Sequence, residues 1–197
     1  MFPLALAAIM VVAALVVYLV RRDPSPSLPL GEAMAFGPAS AEPAPLLDGL
    51  SGRDRFDTLY NRVMRASERG DGATVNRFAP QALQAYRELE EPDIDARYHA
   101  AMLRLHTGDP AGAVVLADTI TGLASSHLFG FVIRGTVARL QGDSARLSTE
   151  QGRLLQHYDA EMAAGRYEYA HHKFILDQFV GEARQRAAGS GGRPPGR

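Results

Sequence analysis

Apolar positions recur every three to four residues along most of the chain after residue 52, the period of helices with one buried face. Phe56, Leu59, Tyr60, Val63 and Met64 set the phase of the first run. The pattern predicts seven helices, over about 53–69, 72–90, 93–107, 110–123, 127–141, 144–163 and 166–186. Ser51 is the expected N-cap of the first, and Ser125-Ser126 supply the cap region of the fifth. Pro80 falls inside the second run and should kink it or delay its start. Tyr167, Ala170, Phe174, Ile175, Leu176, Phe179 and Val180 form the apolar set of the last.

Three breaks between these runs share one signature. Gly70-Asp71, Gly108-Asp109-Pro110 and Gly142-Asp143 are spaced by 38 and then 34 residues. Gly ends a helix in left-handed geometry without a Cβ penalty. Asp caps the next helix, and Pro110 occupies a first helical position where no amide hydrogen is needed. Such short connections make neighbouring helices antiparallel. The flanking residues repeat too. With a shift of 38, Asp57, Tyr60, Met64, Gly70 and Asp71 fall on Asp95, Tyr98, Met102, Gly108 and Asp109.

This arrangement resembles the tetratricopeptide repeat (TPR) family, whose unit is a helix pair of about 34 residues broken near its middle by a tight turn. Ala101 and Gly135 take the small position of the first helix in the second and third units, and Ala113 takes the alanine position of the second helix. The likeness covers residues 55–160. It departs at Leu147, which stands where a small residue is expected, and in lacking the repeat-closing Pro in the second and third units. The resemblance implies an all-α fold. Antiparallel helical hairpins would stack as a short TPR-like solenoid, with about three divergent units and a C-terminal capping helix; the one transmembrane helix expected before them rests on the apolar N-terminal run, not on the resemblance. It also implies that the first helix of each unit lines a concave groove. The partner-binding candidates are then Asp57, Tyr60 and Met64; Asp95, Tyr98, Met102 and His106; and Phe129 and Arg139. The same Tyr and Met positions at helical spacing also suit a packed core.

The ends of the chain read differently. Pro3 to Val20 carries no charge and is followed by Arg21-Arg22, so residues 1–22 are expected to be a transmembrane anchor in the lipid bilayer. No basic stretch precedes the run and no small-residue cleavage site closes it, which disfavours a removed signal. The two arginines lean residues 21–197 toward the cytoplasm, with a periplasmic placement as the alternative. Residues 23–51 hold six prolines and no basic residue, the composition of an extended linker. A docking strap built on Leu28, Leu30, Met34 and Phe36 is the other reading. The helical domain is expected over 52–187 and a disordered tail over 188–197.

Composition narrows the chemistry. A formal net charge of −1 gives no electrostatic footprint for nucleic acid. With no cysteine, thiolate sites and disulfides are excluded. There are six histidines but no His-x-x-x-His pair. His171 and His172 point about 100° apart on a helix, and His99 and His106 are seven residues apart. No phosphate loop or nucleophile elbow is present. The sequence therefore predicts no cofactor, no metal and no enzymatic activity. The expected role is a membrane-anchored adaptor or scaffold for protein partners, including a membrane complex. The alternatives are an accessory subunit docked through its anchor and linker, and an exported periplasmic protein with a cleaved signal.

Overall fold

The computed structural model describes residues 46–190. Its regular structure among these residues is entirely helical: α1 (Gly52–Glu68), α2 (Gly72–Arg87), α3 (Ile94–His106), α4 (Pro110–Leu123), α5 (Leu128–Leu140), α6 (Ser144–Ala163), α7 (Tyr167–His171) and α8 (Lys173–Ser190). No described helix is long and apolar enough to cross a membrane. The expected anchor at 3–20 and most of the linker lie outside the described residues.

The three Gly-Asp breaks adopt one geometry. Gly70, Gly108 and Gly142 have φ of 70°, 77° and 72°. The amide of the following Asp donates back to Ala66, Arg104 and Ala138 at 2.9, 2.8 and 2.9 Å. Each Gly amide donates to a carbonyl three residues earlier, completing the paired bonds of a Schellman turn. Each Asp side chain then accepts an amide of the next helix: Asp71 from Thr74 at 3.0 Å, Asp109 from Gly112 at 2.8 Å, Asp143 from Arg146 at 2.9 Å. One residue thus closes one helix and opens the next, so α1–α2, α3–α4 and α5–α6 are joined with almost no loop.

Each of α1 to α5 packs on the helix that follows it, and α1, α3 and α5 also touch in series, with α8 against α5 and α6. This produces an inner row, α1–α3–α5–α8, and an outer row, α2, α4 and α6. The continuous core lies between them, from Phe56 and Val63 through Leu103 and Ile120 to Ile133, Leu154 and Leu176. α5 is buried on nearly all sides; Leu128 to Gly135 are all buried. Arg134 is carried inside because Asp118 of α4 and Glu150 of α6 hold it, at 3.0 and 3.2 Å.

Three local expectations change. Pro80 sits within α2, which still begins at Gly72. The N-cap of α5 is His127, whose Nδ1 accepts from the Phe129 amide, whereas Ser126 donates to Glu161. The helix expected over 166–186 is interrupted at His172, whose φ of −106° and ψ of 16° leave helical geometry. The break resets the helical phase. Tyr169, Leu176, Phe179 and Val180 are buried, while Tyr167, Phe174 and Ile175 are exposed. α8 runs on to Ser190, three residues into the tail expected over 188–197, the rest of which lies outside the described residues.

Candidate functional site

The inner row places the Tyr stripe in a seam of rings. Tyr60 of α1 stacks on His99 of α3, with centroids 3.9 Å apart and planes 13° apart. Tyr98 stacks on Phe129 of α5 at 4.2 Å. His172 meets Tyr98 edge-on at 4.7 Å, and Tyr169 meets Phe129 at 5.4 Å. Tyr60, Tyr98, Phe129 and Asp95 are buried. Asp57, Met64, Met102, His106 and Arg139 are half-buried. His106 Nδ1 pairs with Ser67 Oγ at 3.1 Å, and Arg139 pairs with Glu182 of α8. The nine candidate residues therefore divide: the aromatic positions pack inside, and the Met positions keep partial access to solvent.

Two polar clusters lie along this seam. The first gathers around Arg53 of α1. Its Nε reaches Asp57 Oδ2 at 2.7 Å, one terminal nitrogen reaches Asp93 Oδ2 at 2.6 Å, and the other reaches Asp95 Oδ2 at 2.7 Å. Tyr167 of α7 donates to Asp93 at 3.1 Å. Asp95 Oδ1 accepts from His172 Nε2 at 2.9 Å, and His99 Nε2 stands 3.2 Å from the same nitrogen. Behind it, His99 Nδ1 faces Asp57 Oδ1 at 3.6 Å, too long for a hydrogen bond; both atoms are buried without a partner. Burial raises the Asp95 carboxyl, but His172, His99 and Arg53 outweigh it and hold the group below its ordinary range. Asp57 is likewise lowered, burial being overcome by His99 and Arg53.

The second cluster ties α7 to the start of α5. Because His127 Nδ1 accepts the Phe129 amide, its Nε2 carries the proton and donates to Glu168 at 3.0 Å. Tyr169 donates to Glu161 at 2.7 Å and accepts the Leu128 amide at 3.0 Å. Arg166 completes the set on Glu161 at 2.9 Å. Burial lowers the His127 imidazole, against the pull of Glu168. A shallow depression bordered by Asp93, Asp95, Leu123, Arg166 and Tyr167 opens between the clusters.

No protein-family model, curated protein or solved structure matches this chain.

The site is thus built on the chain's own geometry. His172 and Tyr169 were hidden from sequence reasoning because their partners lie 77 and 41 residues away. The one local signal was the adjacent acids and aromatics at i, i+3 and i+4 on α3: Asp95, Tyr98 and His99 share one face.

Proposed function

We propose that this protein is a membrane-anchored, TPR-like adaptor with no catalysis of its own, whose stacked hairpins capture a protein partner or help assemble a membrane complex. The observation that supports it most is the threefold recurrence of one hinge. Schellman turn and Asp cap coincide at Gly70-Asp71, Gly108-Asp109 and Gly142-Asp143, and this sets three helix pairs in register. An inner row built by such repetition is a shape used for gripping extended or helical segments. Met64, Met102 and His106 keep partial exposure on that row, and Met adapts readily to varied apolar surfaces. Residues 3–20 would hold the domain on the bilayer, with 23–51 giving it reach, and the two arginines favour the cytoplasmic side.

A second reading has its own support. α8 already closes the inner row beside α5, and His172, at the break before it, is tied to Asp95 of α3. In an accessory subunit the helical domain would be a brace, and docking would run through the anchor and linker.

Site-specific photocrosslinking of the full-length chain in native membranes separates the two. A discrete protein adduct from a crosslinker at Met64 or Met102 supports the adaptor. Adducts confined to crosslinkers within residues 3–20 refute it in favour of the accessory subunit. A mature chain lacking residues 1–20 by mass spectrometry removes the anchor and leaves the exported form.

A further inference from the structure

We propose that Asp95, His99 and His172 form a binding site for a divalent transition-metal ion of the zinc class, and that this ion staples the C-terminal segment to α3. The three candidate ligand atoms are Asp95 Oδ1, His99 Nε2 and His172 Nε2. They stand 2.9 Å (Asp95–His172), 3.2 Å (His99–His172) and 3.7 Å (Asp95–His99) from one another. Ligands held at the usual Zn–N and Zn–O lengths of about 2.0–2.2 Å in tetrahedral array are separated by about 3.3–3.6 Å. The triangle comes near one face of a tetrahedral site: the Asp95–His172 edge must open and the Asp95–His99 edge close, each by a few tenths of an ångström. Two imidazoles and a carboxylate form a ligand set suited to zinc, with a fourth position for water.

Charge and proton placement point the same way. Asp57, Asp93 and Asp95 bring three carboxylates to the cluster, against the single guanidinium of Arg53. Three carboxylates around one guanidinium leave a surplus of negative charge at the cluster, a setting that favours a dication. The proton on His172 Nε2 serves Asp95, so a proton on His99 Nε2 would meet it head-on at 3.2 Å. His99 Nε2 therefore faces the centre of the triangle as an acceptor. Its Nδ1 lies 3.6 Å from Asp57 Oδ1, and a small shift on ion binding would close this to the carboxylate–imidazole bond that orients metal-ligating histidines. Arg53 plays a matching part on Asp95, engaging Oδ2 while Oδ1 faces inward toward His172. Ion binding would release the Nε2 proton of His172 to solvent.

The location gives the ion a consequence. Asp95 and His99 lie one turn apart on α3, whereas His172 occupies the break between α7 and α8. An ion shared among them closes the chain across 73 residues, from His99 to His172.

The test uses the purified full-length chain, stripped with a chelator and titrated with Co2+ and Zn2+. The expected result is a visible Co2+ ligand-field spectrum saturating at about one ion per chain, displaced by Zn2+, with proton release. Zn2+ should also raise the melting temperature by several degrees, as for any ligand that binds only the folded state. His99→Ala and His172→Ala should abolish both signals. His171→Ala, which alters the exposed neighbour, should leave them unchanged. Asp57→Asn should weaken affinity by about 10–100-fold. If His172→Ala lowers the helical circular dichroism, His172→Gln takes its place. A folded wild-type chain that shows neither the Co2+ spectrum nor Zn2+-dependent melting overturns the proposal. So does a spectrum that survives in both histidine variants.

Discussion

Phe179 of α8 lies against Gly135 of α5, where a side chain of any size would collide with its ring. A Cβ at position 135 would stand 3.2 Å from Cε1 and 3.3 Å from Cε2, and closer still to Cζ. Arg139, one turn further along α5, covers the same ring with its guanidinium, 5.5 Å from the centroid. This contact seats the last helix, because no bulkier residue lets the two axes approach so closely.

Gly135→Ala should therefore destabilise the domain, although alanine is the better helix former by about 1 kcal/mol. Overpacking of about 1–3 kcal/mol works against that gain. The expected outcome is a lower urea midpoint, restored in Gly135→Ala/Phe179→Leu. A single variant more stable than the parent would show that α8 is not held at this point.

The hinges make a second prediction. At Gly108, φ is 77°, and a Cβ there meets nothing within 4 Å, so any penalty is conformational and not steric crowding. Gly108→Val should cost at least about 1–2 kcal/mol. Asp109→Ala should cost about 0.5–2 kcal/mol by removing the bond to the Gly112 amide. Thermal melts of these two variants should show clear losses. An unchanged melt for Gly108→Val would contradict the left-handed hinge.

Arg134 carries a third. It links Asp118 and Glu150 across the core, and Glu150 is only 4% exposed. Arg134→Met would leave that carboxylate with only Arg153, at 3.3 Å. The loss should be about 2 kcal/mol, below the full cost of orphaning a buried charge because Arg153 remains. In Arg134→Met/Glu150→Leu most of the loss should return. Denaturant unfolding of the two single variants and the double variant measures this coupling, and strictly additive losses would refute it.

The fourth concerns pH. Burial lowers the imidazoles of His106 and His127 below their ordinary 6.5, with Glu168 and Glu161 opposing and Arg166 reinforcing the effect at His127. The unfolded chain then takes up protons first as pH falls. Stability should drop as pH falls through about 6.5 and level off below the folded-state values, by no more than about 1.4 kcal/mol per pH unit for each histidine. Asp57, Asp95 and Glu161 are lowered too, so their contribution is present at pH 5 and is lost in more acidic solution. Unfolding free energies at pH 7.5 and 5.5 should differ less in His106→Gln than in the parent. An equal difference would mean that His106 titrates alike in both states.

The helices and their hinges were legible in the linear chain, because their causes are local. A left-handed Gly, an Asp cap and a 3.6-residue apolar period each act within about one turn. Six of the seven expected helices correspond to single observed helices, with ends shifted by three residues or fewer. The misread places were those where distant groups intervene. His127 replaces Ser125-Ser126 as a cap because Glu168 holds its other nitrogen, 41 residues away. The last helix breaks at His172 where that side chain turns to Asp95, 77 residues away. The Asp-Tyr-Met stripe was visible as a repeat. Only packing separated its buried Tyr60 and Tyr98 from its half-exposed Met64 and Met102, since burial depends on the neighbouring helix and not on spacing. The sequence by itself determined where the chain turns and which faces seek shelter. The tertiary structure alone decided which charges and imidazoles would meet, because only folding brings residues so far apart in the chain within hydrogen-bonding distance.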